Sequence, residues 1–166
     1  MTLRILIAAD GSAYTRLAAR HVATHLDWFA GKPEIHLLHV EPPLPYPGAQ
    51  AVVGKAAVLG FQRDEAERAL VVAEKELDDA KVAYRSSWSV GDVVTEIGRY
   101  VSSHGIDLMV IGSRGHSALA SIALGSVAQK CIATLDVPVL VVRAASQKPT
   151  AKTAKSAARV PTRASP

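Results

Sequence analysis

The sequence predicts an α/β protein organised on one open parallel sheet with helices on both faces. Three observations carry this expectation. Short apolar runs rich in Ile, Leu and Val recur along the chain, each bounded by turn residues, as buried parallel strands require. Between them lie amphipathic stripes at helical spacing, so strand and helix alternate and the connections become right-handed crossovers. The length, 166 residues, suits a single sizeable core.

Taken in order, Leu3 to Ala9 reads as a buried strand that ends at Asp10-Gly11-Ser12. Ser12 is placed to cap a helix whose buried side is Ala18, Val22, Leu26 and Phe29, and Gly31-Lys32-Pro33 ends it. Glu34 to Val40 is a second strand. Residues 41–60 are rich in Pro, Gly and Ala, longer than most connections in a compact domain, and expected to be a functional or mobile loop. A long helix is expected from Phe61 to Val82, with Ala66, Leu70, Ala73, Leu77 and Ala80 on one face. Tyr84 to Val90 is a third strand, and Asp92 caps a helix that buries Val93, Ile97 and Val101 and closes at Gly105. A fourth strand spans Ile106 to Ile111, and Val137 to Val142 forms a fifth.

Composition narrows the function classes. No run approaches the roughly 18 consecutive apolar residues of a membrane span. The opening MTLRILIAADGS reads as a strand and a turn, not as an export signal, so a cytoplasmic protein is expected. The lone cysteine, Cys131, sits on an apolar helical stripe and is expected to pack, not react. The net charge of +4 arises in residues 144–166, which hold five of the 19 basic residues and no acid, leaving 14 basic against 15 acidic residues in the body. That Ala-, Ser-, Thr-, Pro- and Lys-rich stretch lacks the apolar surface to offset ordering entropy and is expected to be a disordered tail. Its spaced single charges without aromatic residues argue against nucleic acid or anionic lipid as a main partner.

The chemistry gathers between Ile106 and Arg143. An apolar run ends at Gly112, a loop continues through Gly115, and Gly125 stands directly before Ser126. From there Val127, Cys131 and Leu135, with Ala128 and Ile132, recur at spacings of three and four, the stripe of an amphipathic helix. Ser126 followed by Gln129 fits a capping box and fixes the helix start. Unpaired N–H groups and the positive end of the dipole favour an anion there, and glycines let phosphate reach the main chain. The plainer alternative is that the glycines only turn the chain and Ser126 only caps.

The spacing of Gly112, Gly115, Gly125 and Ser126, with two residues and then nine between the glycines, resembles the nucleotide-binding pattern of the universal stress protein family without gap or substitution. The resemblance covers roughly residues 2–143. It implies a strand order of 3-2-1-4-5, the adenine nucleotide alpha hydrolase-like arrangement, and a bound ATP, with or without Mg2+. It matches the family's acidic residue to Asp10 and its adenine-contacting backbone to Val40. Ligands of open α/β sheets sit beyond the carboxyl ends of the strands, where these residues would meet. Asp10 suits ribose, base or a divalent ion, since a carboxylate facing phosphate needs an intervening cation; alone, it also reads as a turn-forming residue before Gly11. Ser126 can donate its hydroxyl and N–H to phosphate, and Val127 its N–H. Arg114 and His116 share the loop and can neutralise phosphate, but a loop arginine is more often solvated, and neither ranks among the site residues.

Other chemistries lack their parts. There is no G-x-x-x-x-G-K-[ST] and no G-x-G-x-x-G. His36 and His39 are an odd distance apart on a strand and so face opposite ways, and His21 and His25 lack further placed ligands for a metal. No Ser-His-Asp or Cys-His arrangement stands out, and nothing offers an evident base, so binding is expected in preference to catalysis. The function implied is a nucleotide-responsive stress-tolerance regulator with protein clients of unknown kind. The alternative is a dimeric interaction module of the same fold that carries no nucleotide. Val137 to Val142 would be an apolar edge strand, and both that liability and the resemblance point to a homodimer through it, with Val139 to Val142 pairing because Pro138 cannot donate.

Overall fold

The computed structural model describes residues 2–29, 31–43, 54–115 and 124–144. Five strands form one parallel sheet: β1 (Arg4–Ala8), β2 (Glu34–Glu41), β3 (Tyr84–Val90), β4 (Leu108–Gly112) and β5 (Val139–Val142), in the spatial order β3-β2-β1-β4-β5. The helices are α1 (Ala13–Thr24), α2 (Lys55–Asp79), α3 (Val93–His104) and α4 (Ser126–Thr134). The expected order 3-2-1-4-5 is the observed one. Among the described residues, no helix is long and apolar enough to cross a membrane. The basic segment 145–166 and half of the loop 41–60, residues 44–53, lie outside the described residues.

Alternation along the strands divides the core in two. Ile5, Ile7, Ile35 and Leu37 point to one face, where Ala18, Ala19 and Val22 of α1 and Leu70, Ala73 and Leu77 of α2 cover them. Leu6, Leu38, Val40, Met109 and Ile111 point to the other, against Ile97 and Val101 of α3 and Ala128 and Cys131 of α4. Burial on both sides explains why these strands read as unbroken apolar runs instead of alternating ones. It also pushes the Cys131 thiol up to about 11, which keeps it protonated and inert, as its place on the stripe suggests.

Helix ends follow local hydrogen bonding. Ser12 Oγ accepts from Thr15 N and starts α1, while Asp92 Oδ1 accepts from both the N–H and the hydroxyl of Thr95 and starts α3. The backbone N–H of Thr95 is the main reason that the Asp92 carboxyl titrates below its ordinary value. Helix α1 stops at Thr24, earlier than the periodicity suggests. There Thr24 Oγ1 bonds back to the Arg20 carbonyl and His25 Nδ1 lies 2.8 Å from the His21 carbonyl, so side chains occupy the carbonyls that further turns would use. A 3-10 turn, Leu26–Trp28, continues the chain, with Leu26 and Phe29 still packed on the core and Trp28 outward.

Helix α2 begins at Lys55, six residues before the expected Phe61: Lys55, Ala56, Ala57 and Leu59 favour helix and Val58 is buried, although Gly54 supplies no side-chain cap and Gly60 lies within. It ends at Asp79 and not at Val82. Lys81 takes a left-handed φ of 58°, Lys81 N bonds Asp78 O and Val82 N bonds Leu77 O, the paired bonds of a Schellman turn made without the usual glycine. Across the α1–α2 seam, Arg20 donates two bonds to the Glu76 carboxylate, at 2.8 and 2.9 Å, with Arg16 at 3.9 Å. The Arg20 bond is the first cause that lowers the Glu76 carboxyl below the usual range.

Two stability experiments follow from these contacts. Lys81→Gly is expected to raise unfolding stability by about 0.5–1 kcal/mol, because the left-handed penalty exceeds the entropy that glycine adds to the unfolded chain; a lower denaturation midpoint would contradict the assigned backbone. Glu76→Gln is expected to destabilise the protein at neutral pH. A lowered carboxyl stabilises above its unfolded value and loses that effect as pH falls through its folded value, so the gap between variant and parent should close in acid. A pH-independent gap would mean that Glu76 acts through packing alone.

Candidate functional site

All strands leave the sheet in one direction, and a cavity of about 490 Å3 opens beyond the ends of β1, β2 and β4. It brings together every residue expected to bind: Asp10 and Val40, the loop glycines Gly112 and Gly115, and Gly125, Ser126 and Val127 at the start of α4. One wall is apolar, made of Leu38, Val40, Pro42, Val93, Ile97 and Ile111. Val93 and Ile97 read in the sequence only as the apolar face of α3; the spare room beyond the strand ends leaves them facing the cavity.

Asp10 takes the turn-forming role and stands at the cavity. Its Oδ1 accepts from Ser12 N at 3.0 Å and from the Thr15 hydroxyl at 2.6 Å, which is the turn-forming role. The other oxygen reaches the glycine loop, where a Cβ on Gly115 would collide with it. The carboxylate thus stands against the loop, nearer the glycines than an assignment to ribose or base alone suggests. Gly112 is constrained differently. A Cβ there would stand 2.6 Å from Tyr14 Cβ and 2.8 Å from the Tyr14 carbonyl oxygen, so α1 approaches the end of β4 too closely for any side chain. Gly125 has only ordinary contacts, the nearest at 3.5 Å. The backbone of α1 therefore requires Gly112, and the end of the Asp10 side chain crowds Gly115, so close approach of a ligand is not the sole explanation of either.

The capping box is not formed. Gly125 occupies the cap position, and Ser126 is the first helical residue, without a side-chain cap bond. Gln129 uses its backbone N–H for the Gly125 carbonyl and its side chain for the Leu124 carbonyl, at 2.8 Å. The Ser126 side chain is exposed at the helix start and lines the cavity, beside first-turn N–H groups that have no partner within the helix. The loop is anchored at both described ends: Ser113 N donates to Val142 O and Gly125 N donates to Ser113 O, both at 2.8 Å.

Two lining residues were not ranked among the site residues in the sequence reading: His39, weighed only as a metal ligand, and Arg114, named as able to neutralise phosphate. His39 is buried beside Val40, with Nδ1 2.8 Å from the Ala9 carbonyl and Nε2 3.1 Å from Glu41 Oε2, so the ring braces the exit of β2 against β1. Its signal was its place next to Val40. Arg114 lines the cavity with its Nη1 bonded to the Tyr14 hydroxyl at 3.2 Å, held in place where a solvated arginine was expected. His116 lies outside the described residues. Among the described residues no group of three or more His, Cys, Asp or Glu could hold a metal ion. His36 turns away from His39, its Nδ1 2.9 Å from the Tyr100 hydroxyl of α3, and burial is the chief cause that lowers its pKa. His21 and His25 stack at 4.3 Å beside Trp28 on the surface of α1.

The site can seat an apolar plate against one wall and an anion against the other. Comparison with known proteins points the same way as the geometry. Residues 1–143 match the Universal stress protein family. A universal stress protein of Methanocaldococcus jannaschii is 29% identical over 140 residues, covering 84% of this chain and 81% of that protein. The solved structure of the protein MJ0577 has a TM-score of 0.71 at 28% identity, covering 87% of this chain and 97% of that one. The fold is also shared by two more distant structures. The universal stress protein of Archaeoglobus fulgidus was solved in complex with dAMP (TM-score 0.60, 17% identity, 84% of this chain and 97% of that one). An Arabidopsis thaliana member was solved with AMP bound (TM-score 0.60, 15% identity, 85% of this chain and 91% of that one). With the profile matched over 143 residues, and the sheet order and loop spacing that go with it, this chain belongs to the universal stress protein family.

Proposed function

We propose that this protein binds ATP in the cavity above β1, β2 and β4 and acts as a nucleotide-responsive stress-tolerance regulator, as a cytoplasmic homodimer. The observation that carries the reading is the convergence of an uncapped helix start, Gly125–Ser126–Val127, with an apolar wall ending at Val40 in one cavity. Its volume, about 490 Å3, lies within the span of roughly 300–1,000 Å3 typical of small-molecule sites. Adenine fits the apolar wall and the Val40 backbone, and polyphosphate fits the donors of α4. The adenine nucleotides held by distant relatives support the ligand class. Asp10 beside the glycine loop fits a magnesium-bearing nucleotide better than a bare one, because a cation between carboxylate and phosphate removes their repulsion. Binding is favoured over turnover because both His39 ring nitrogens are already engaged, one with a carbonyl and one with a carboxylate. Buried Cys131 suits a reducing compartment.

A second reading has its own support: Gly112 and Gly115 are explained by Tyr14 and Asp10 without a ligand, as in an interaction module that carries no nucleotide. Titration separates the two. ATP with magnesium should bind saturably, one per subunit, and native mass spectrometry of fresh protein should find an adenine nucleotide retained; absence of binding up to millimolar ATP leaves only the interaction module. Ser126→Asp sharpens the test. A carboxylate in the first turn suits the helix dipole, so thermal stability should hold, while ATP affinity should fall at least roughly tenfold through repulsion of phosphate.

The dimer reading rests on β5, which ends the sheet with Val139, Leu140 and Val141 half-buried. Antiparallel pairing through Val139–Val142 covers that edge. Val141→Lys should yield monomers by light scattering. An unchanged mass would count against this interface.

A further inference from the structure

Arg114 is the only Lys or Arg among the described residues that line the cavity. Its backbone is anchored through the preceding residue, by the two bonds of Ser113, and Asp10 stands close beside Gly115, the residue that follows. A Cβ on Gly125 would lie 3.5 Å from Arg114 Cα, so this backbone abuts the first turn of α4. The guanidinium is held by Tyr14: Nη1 donates to the hydroxyl at 3.2 Å, and Cζ lies 5.7 Å from the ring centroid. Tyr14 is seated in turn, because its Cβ and carbonyl fill the space that Gly112 leaves. A neutral hydroxyl takes one of five guanidinium donors, and none of the ion pairs among the described residues includes Arg114. Among the described residues, the charge is positioned and no carboxylate is paired with it.

We propose that Arg114, positioned by Tyr14, makes the site select ligands by the number of their phosphates, favouring di- and triphosphates over monophosphates. This rests on the nucleotide reading and deepens it. The Ser126 hydroxyl and the free N–H groups of α4 suffice for one phosphate group. Each further phosphate adds negative charge in the cavity, and the Arg114 guanidinium fork can answer that charge with paired bonds. Gly112 then has a role at one remove from the ligand: it admits the residue that holds the arginine.

Calorimetric titration of AMP, ADP and ATP with magnesium into the full chain, the Arg114→Gln, Arg114→Lys and Tyr14→Phe variants tests this. Arg114→Gln should lose roughly tenfold or more in ATP affinity and about twofold or less for AMP, as loss of a charge-assisted bond to the outer phosphates alone requires. Arg114→Lys should restore part of the ATP affinity, as a charge without the fork. Tyr14→Phe keeps the ring and its seat on Gly112 and should lose part of the ATP preference while AMP binding holds, a ratio that a merely structural defect would not move. Parallel weakening of ATP and AMP, or no change in either, overturns the proposal and leaves the nucleotide reading intact. A parent protein that binds none of the three overturns both.

Discussion

Parallel pairing is the constraint on which the rest of the molecule depends. Five strands that run the same way must all exit at one edge, so the turns after β1, β2 and β4 are brought side by side whatever their sequences. The same pairing demands helices on both faces, and it places α1 and α4 with their starts beside that edge. Position comes from the sheet, and the local residues decide what occupies it. Gly112 lets α1 close on β4, Gly115 lets Asp10 close on the loop, and the bond from Gly125 to Ser113 sets the start of α4 against both.

Much of this was legible in the residues. Strand order followed from the family pattern of glycines, and the caps at Ser12 and Asp92 from short polar side chains before apolar stripes. What escaped depends on competition between hydrogen bonds that spacing does not reveal. Ser126 and Gln129 have the letters of a capping box, yet Gln129 finds the Leu124 carbonyl instead, and the cap passes to Gly125. The early end of α1 likewise turns on side chains of Thr24 and His25 that bond back to carbonyls of Arg20 and His21. The end of α2 was missed because Lys81 takes a left-handed conformation that nothing in its side chain announces.

The site was legible as a set of positions more than as a set of contacts. All seven expected residues reach the cavity, because strand exits and a helix start can be located from patterning. Their neighbours could not be. The contact between Tyr14 and Gly112 joins residues nearly a hundred positions apart, and the brace that His39 forms between Ala9 and Glu41 crosses from one strand to another. Long-range packing of this kind leaves no local signature, which is why Arg114 reads as a solvated loop residue until Tyr14 is seen beneath it.

The two margins of the sheet are chemically unlike. β5 offers a row of valines and a leucine, whereas β3 presents Arg85 and Ser86 to the outside, with Arg85 tied to Glu34 at 2.7 Å. A ribbon that could add copies at either rim would grow without limit, head to tail, into a filament. Here the polar, charged rim is a poor template for a newcomer, so the contrast between the first and last strands across the sheet works against growth of that kind.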